Sequence, residues 1–137
     1  MAAQIPESYR DLLEKPVVIG LVTVMPDGQP QATPVWCDFD GQNIIVNTAR
    51  GRQKDLNMRQ NRQVTVLAID PQNPYRYLEV RGQVVEETEE GGLDVINRLS
   101  EKYTGQRDYY AGMPERREKE RRVTYKIRPM SVNASGG

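Results

Sequence analysis

Three cationic side chains lie close together in the segment Thr48–Asn57, whose sequence is TARGRQKDLN. Arg50, Arg52 and Lys54 fall where the pattern predicts the end of a strand, a glycine turn and the start of a helix. The first N–H groups of a helix have no partner within the helix, and the helix dipole favours negative charge there. We therefore interpret the segment as the phosphate-holding end of a cofactor site. The alternative is a solvated basic turn that leads into an amphipathic helix.

The composition excludes several kinds of site. The chain has no histidine, which removes imidazole metal ligation and the usual general base near neutral pH. Cys37 is the single cysteine, so neither an intrachain disulfide nor a zinc site is expected, and a small core residue is the simplest role for it. If the protein is an enzyme, we expect much of its chemistry to belong to a bound cofactor, and no catalytic side chain is identified.

The overall charge argues against polyanionic partners. The 19 basic and 19 acidic residues cancel, so no global field favours nucleic acid or an anionic membrane. No 18-residue apolar run is present, and Met1–Glu7 has neither the basic nor the apolar part of a signal peptide. We expect a cytoplasmic protein whose 137 residues form one domain, 1–137, more easily stabilised if a subunit interface buries further surface.

Runs of β-branched or alternating residues predict about six strands. They are Val17–Met25, Gln31–Phe39, Asn43–Thr48, Arg62–Asp70, Tyr75–Val85 and Arg121–Arg128. The first is apolar enough to be a central strand buried on both faces. Asp27-Gly28 and Asp40-Gly41 predict tight hairpins, so the first three strands are expected to form an antiparallel meander.

Four features are predicted for the second half of the chain. Gly82 suits a bulge, and the last strand is expected to have one wet face that includes Arg122 and Thr124. Pro129 is expected to end that strand, and Ser131–Gly137 to fray. A basic cluster precedes and begins this strand and consists of Arg116, Arg117, Lys119, Arg121 and Arg122. It is interpreted as a solvated face, or as an extension of an anion-binding groove.

Helical spacing predicts four short helices, at Pro6–Lys15, Gln53–Asn61, Leu93–Tyr103 and Glu115–Lys119. Few helices around mainly antiparallel strands indicate a mainly β fold, a small β-barrel with peripheral helices.

Three segments carry a resemblance to a known family: Val22–Trp36, Asn47–Asn57 and Asp70–Gly82, the last with the run PYRYLEVRG. In order and spacing the chain resembles the split β-barrel flavin- and deazaflavin-binding proteins related to pyridoxamine 5′-phosphate oxidase. It is most similar to the small oxidoreductases of that group that use coenzyme F420, an 8-hydroxy-5-deazaflavin. The resemblance implies a six-stranded antiparallel split β-barrel of the FMN-binding type, and a homodimer with cofactor sites between the subunits.

The resemblance also implies which residues bind the cofactor. Arg52 and Lys54 would hold its phosphate, with Arg50 and Gln53 adjacent and Thr48 and Ala49 near the ribityl part. The strand beside the ring would supply Gln31, Thr33, Pro34, Val35 and Trp36. Tyr75 and Tyr77 would reach the site from the partner subunit. Trp36 is otherwise a core residue, and the two tyrosines are otherwise interface aromatics.

Three functions remain open at this stage. The first is hydride transfer from reduced F420 to an electron-poor small molecule such as an enone, quinone or tetrapyrrole, with solvent, Tyr75, Tyr77 or Tyr109 supplying a proton. The second is an FMN-binding flavoprotein of the same fold. The third is a non-catalytic carrier of a flavin or deazaflavin. Pyridoxamine 5′-phosphate oxidation itself is disfavoured, because that family's substrate-binding arginine and histidine pair has no equivalent here.

Overall fold

The computed structural model describes residues 2–136 and contains one antiparallel sheet. Its seven strands run in the order β2-β1-β5-β6-β7-β4-β3. They are β1 Ile19–Val24, β2 Pro30–Val35, β3 Asp38–Phe39, β4 Ile44–Ala49, β5 Gln63–Asp70, β6 Asn73–Thr88 and β7 Arg122–Ser135. The predicted mainly β, antiparallel split barrel is confirmed, with seven strands rather than six.

The additional strand arises from a break at Trp36 and Cys37, within the single strand predicted over residues 31–39. The Cys37 N–H donates to the Tyr103 hydroxyl (3.1 Å), and the Cys37 carbonyl accepts from Lys102 Nζ (2.7 Å). Since side chains satisfy this backbone, no neighbouring strand is needed there. Both Asp-Gly hairpins are confirmed. The predicted meander is wrong, because β2 and β3 lie at opposite edges of the sheet.

Strand β7 is longer than the sequence predicted. Residues Ser131 to Ser135 pair with β6, so the prediction that they fray is wrong. Pro129 does not end the strand, because it lies opposite Gly82 where the register shifts, and no ladder donor is required at such a bulge. The predicted bulge at Gly82 is confirmed. Gly137 lies outside the described residues.

The helices are α1 Asp11–Glu14, α2 Gln53–Gln60, α3 Gly92–Thr104 and α4 Pro114–Lys119. The N-terminal helix predicted over 6–15 is a 3₁₀ turn, Glu7–Tyr9, followed by the single turn of α1. The other three helices agree with the prediction to within a residue or so at each end. None of the helices described is long and apolar enough to cross a membrane.

The main core lies on one side of the sheet and includes Leu12, Leu21, Tyr125 and Ile127. Strand β1 is central, as predicted, since it pairs with β2 and β5. The prediction that both its faces are buried is wrong, because Ile19 and Leu21 are buried while Val22 and Val24 are only partly covered. This outer face of the sheet also carries exposed apolar side chains, among them Leu67, Ile69 and Met130.

Candidate cofactor site

A cleft of about 370 Å³ lies where the ends of β2 and β4 meet the start of α2. Helix α3 and the start of β7 complete its wall. The lining residues are Val18, Pro34, Val35, Trp36, Asn47, Thr48, Arg52, Lys54, Ile96, Leu99, Tyr109 and Arg122. The volume is within the range of small-molecule sites, roughly 300–1,000 Å³. The lining combines three cationic side chains with aromatic and aliphatic ones.

The turn before α2 and the start of α2 supply two cations to the cleft, Arg52 and Lys54. Arg52 is the N-cap residue of α2 and makes no side-chain capping bond, so the first helical N–H groups remain available near the Arg52 and Lys54 side chains. Burial and the nearby charges of Arg52 and Arg122 lower the pKa of Lys54. Within residues 2–136, Lys54 forms no ion pair. An ammonium group that lies near two guanidinium groups and has no acid partner of its own favours an anionic ligand.

Arg50 takes a different position from the other two cations of the turn. Its guanidinium donates to Asp55 (2.9 Å), Glu87 and Glu89 (2.9 Å), and it does not line the cleft. Asp55 is fully buried and accepts further hydrogen bonds from the Gly51 N–H and the Tyr125 hydroxyl. Although burial favours the neutral acid, these bonds lower the pKa of Asp55. The Arg50 network fixes the conformation of the turn.

Glu120, the residue that follows α4, forms ion pairs with three arginines at the edge of the cleft. Its carboxylate accepts from the Tyr110 hydroxyl (2.6 Å), Arg116 (3.1 Å), Arg52 (3.2 Å) and Arg122 (3.4 Å). Burial acts in the opposite direction, but these donors lower the pKa of Glu120 to about 2. Glu120 is therefore ionised at neutral pH and holds Arg52 beside Arg122.

The aromatic part of the cleft lining consists of Trp36 and Tyr109. Trp36 stacks on Tyr103 with ring centroids 5.4 Å apart, and Tyr109 meets Trp36 edge to face at 5.9 Å. Arg122 and Arg116 lie over the Tyr109 ring at 5.2 and 5.7 Å. The flat side chains suit a planar ring system, and the aliphatic Val35, Ile96 and Leu99 exclude water around it.

Six of the predicted cofactor residues line this cleft, namely Pro34, Val35, Trp36, Thr48, Arg52 and Lys54. The Thr48 hydroxyl oxygen is buried and has no hydrogen-bond partner within the described residues. The cleft lining does not include Gln31, Thr33, Ala49, Arg50, Gln53, Tyr75 or Tyr77. Gln31 and Gln53 instead contact Asn57 of α2, and Tyr75 is 82% exposed.

Sequence reasoning missed Asn47 and Arg122 as cleft residues. The wet face predicted for the last strand is wrong at Arg122 and Thr124, which are 7% and 4% exposed. Helix α3 covers this face, and Gly92 approaches so closely that an added Cβ would lie 2.5 Å from the Arg122 carbonyl oxygen. The local alternation of β7 contains no indication of that helix.

The described residues support neither a metal site nor a reactive cysteine. They contain no group of histidine, cysteine or carboxylate residues able to hold a metal. Cys37 is fully buried, and burial raises the pKa of its thiol to about 11. A reactive thiolate requires the opposite environment.

Comparison with known proteins adds three findings. Residues 5–136 match the family described as pyridoxamine 5'-phosphate oxidase. No curated protein matches the chain. A solved structure named F420 reductase is 35% identical, covers 94% of this chain and 98% of its own, and superposes with a TM-score of 0.81.

Two more distant structures share the fold. A conserved hypothetical protein from Mycobacterium tuberculosis is 24% identical, with coverage of 98% of this chain and 86% of that chain and a TM-score of 0.74. A heme storage protein from Vibrio cholerae is 15% identical, with coverage of 98% and 96% and a TM-score of 0.68. At these identities the likeness concerns the fold alone.

Proposed function

Because the chain belongs to the pyridoxamine 5'-phosphate oxidase family, we propose that it is an oxidoreductase that binds coenzyme F420 in the cleft and transfers a hydride from the reduced cofactor to an electron-poor organic substrate. The observation that carries the proposal is a cleft whose lining combines a cationic helix start with flat aromatic side chains. A ring system joined to a phosphate has the same two-part chemistry. The 35% identity with a protein named F420 reductase, over 94% of the chain, favours the deazaflavin.

The residues of the cleft have separable roles in this proposal. Arg52, Lys54 and the first N–H groups of α2 bind the phosphate, and Arg contributes a planar pair of donors. The backbone and side chains of Pro34, Val35 and Trp36 lie beside the ring. Thr48, which lines the cleft, lies beside the sugar-like chain. When bound, reduced F420 supplies the hydride.

The proton that follows the hydride has one protein candidate at the cleft. Of the three tyrosines considered from the sequence, only Tyr109 is a lining residue in the part of the chain that the structure describes. Tyr75 and Tyr77 would take part only if a second subunit brought them to the cleft. Solvent remains the other source of the proton.

A homodimer is part of the proposal. Val18 lines the cleft and is 54% exposed, so one side of the site is open to a second subunit. The exposed Leu67, Ile69 and Met130 provide apolar surface that a partner would cover. Light scattering combined with gel filtration measures the mass directly, and a monomer at micromolar concentration would contradict this part.

FMN is the alternative cofactor, favoured by the description of the matched family and by a basic turn that suits either phosphate. The protein is then a flavoprotein of the same fold. A carrier without catalysis is the remaining alternative, since the site contains no evident catalytic base.

The test is a paired fluorescence titration of the purified protein with F420 and with FMN. Tight binding of F420 and weak binding of FMN supports the proposal, and the reverse preference supports the flavoprotein. Reduction of menadione and other quinone or enone acceptors by reduced F420 is then measured against a protein-free control. Tight binding without faster reduction of any acceptor supports the carrier.

A further inference from the structure

Arg122 is a buried cation with an unfilled donor group. Its side chain is only 5% exposed, yet it lines the cleft. Its Nε donates to Asn47 Oδ1 (2.9 Å) and its Nη1 to Glu120 (3.4 Å). Within residues 2–136, Nη2 donates no hydrogen bond. It is also absent from the set of fully buried polar atoms that lack a partner, so it retains some accessible surface. A buried guanidinium whose open end faces a cleft is held ready for a ligand oxygen.

The elements around Arg122 fix its direction. Asn47 on β4 donates in turn to the Gly92 carbonyl (3.0 Å) and to Thr124 (3.1 Å), so the Asn47 amide has one defined orientation. The Tyr109 ring covers the guanidinium at 5.2 Å. Two hydrogen bonds and a ring face leave the guanidinium little freedom, which lowers the entropic cost of binding.

The charges of the cleft suit an anionic phosphate group. Arg122 and Lys54 line the same cleft, and the charge of Arg122 contributes to the lowered pKa of the Lys54 ammonium. Arg52, Lys54 and Arg122 bring three positive charges, and Glu120 removes one. The phosphate monoester of FMN carries roughly two negative charges near neutral pH, and the phosphodiester of F420 carries about one, so the net positive charge of the cleft can compensate either group.

We propose that Arg122 binds the phosphate of the cofactor together with Arg52 and Lys54, and that Asn47 and Glu120 are the positioning residues that aim its Nη2 group. The inference rests on the proposed cofactor-binding function and adds a ligand residue to it. Of the two interpretations of the basic cluster that includes Arg122, the proposal follows the extension of an anion-binding groove and not the solvated face. A purely structural bridge between β7, β4 and α4 is the competing explanation.

The experiment compares ligands with and without phosphate. FMN is paired with riboflavin, which differs from it by the phosphate alone, and this pair decides the outcome. F420 is paired with 8-hydroxy-5-deazariboflavin, which has the same ring and lacks both the phosphate and the acidic tail. Arg122→Lys keeps the charge and removes the planar fork. Arg121→Lys is the matched control, because Arg121 is the exposed neighbour and its side chain contacts only Glu89 among the residues described.

We expect Arg122→Lys to weaken the phosphorylated ligand at least tenfold and to change the dephosphorylated ligand less than threefold. Arg121→Lys should change neither. Equal losses for both members of a pair would overturn the proposal and indicate a structural role, and so would no loss at all.

A second measurement uses the unaltered protein, so the proposal can be tested even if the Arg122→Lys variant does not fold. The side-chain Nε resonance of Arg122 should shift on addition of FMN or F420 and not on addition of the dephosphorylated ligand. An unchanged resonance at saturation would overturn the proposal. If neither cofactor binds, the proposed function has failed, and inorganic phosphate, followed by Trp36 fluorescence, becomes the probe for Arg122→Lys. Weaker phosphate binding in that variant then supports the role of Arg122, and equal binding overturns it.

Discussion

The double substitution of Arg52→Ala and Lys54→Ala tests the cationic part of the cleft lining. Both side chains line the cleft, and each is only partly exposed, so both lie where a bound phosphate would be shielded from water. Removing them leaves the first N–H groups of α2 and Arg122 as the remaining donors. We expect a large loss of F420 or FMN affinity with the fold retained.

The size of the loss follows from the environment of each cation. A hydrogen bond to a charged group contributes about 1.5–3 kcal/mol. Arg52 falls at the low end, because its side chain is 38% exposed and is shared with Glu120. Lys54, which has two guanidiniums nearby and no acid partner among the described residues, falls at the upper end. Together they give about 4–5 kcal/mol, or roughly a 1,000- to 4,000-fold loss of affinity.

The assay is the same fluorescence titration, repeated at two salt concentrations. The control is the double substitution of Arg59→Ala and Arg107→Ala, which removes the same net charge from side chains that are 53% and 87% exposed and lie outside the cleft. We expect the control to bind within threefold of the unaltered protein. The salt dependence should fall only in the cleft variant, since fewer charged contacts remain to be screened.

Two results would contradict the assignment of Arg52 and Lys54 to a phosphate. If the cleft variant keeps the original affinity for both cofactors and its thermal unfolding is unchanged, the basic turn is a surface feature and the cofactor lies elsewhere. If both double variants lose affinity equally, the effect is one of general charge, and the assignment of Arg52 and Lys54 to a phosphate is wrong.

Three further predictions concern stability and reactivity. Because the pKa of Glu120 falls from 4.5 to about 2 on folding, its ionised form stabilises the native state above pH 4.5 by at most about 3 kcal/mol, and this contribution disappears as the pH falls toward 2. Glu120→Gln should therefore flatten the acid limb of stability measured by denaturant unfolding. Gly82→Ala should lower the free energy of unfolding by about 1–3 kcal/mol, since its Cβ would lie 2.5 Å from Ile127 Cγ2. Cys37 should react slowly with a thiol reagent at pH 8, because with a pKa of about 11 only about one thiol in a thousand is ionised there.

Each of these predictions has a control. Glu118→Gln removes the same charge from an exposed position of α4, so an identical flattening in that variant would contradict the assignment to Glu120. Gly20→Ala places a Cβ no closer than 3.8 Å to its neighbours and should be tolerated. Equal destabilisation by the two alanines would show that the close contact between the Cβ at position 82 and Ile127 is not the cause. Labelling of Cys37 in native protein as fast as in unfolded protein would contradict its burial.

Local patterns in the sequence were sufficient for most of the secondary structure. Asp27-Gly28 and Asp40-Gly41 specify hairpins because a tight turn needs a residue with positive φ, which glycine adopts without strain. Helix α3 has apolar residues at helical spacing and follows an acidic stretch, so both its existence and its position were predictable. The break at Cys37 was not, because the Tyr103 and Lys102 side chains that satisfy it come from a distant helix.

By itself, the sequence determined the hairpins, the mainly β class and the concentration of positive charge before α2, since each depends on residues that are neighbours in the chain. Only the tertiary structure decided which of those charges face the cleft. Arg50 and Arg52 are two residues apart, yet Glu87 and Glu89 of distant segments bind the first and leave the second beside Arg122. Arg122 becomes a buried cleft residue because α3 packs across β7, and that contact joins residues far apart in the chain.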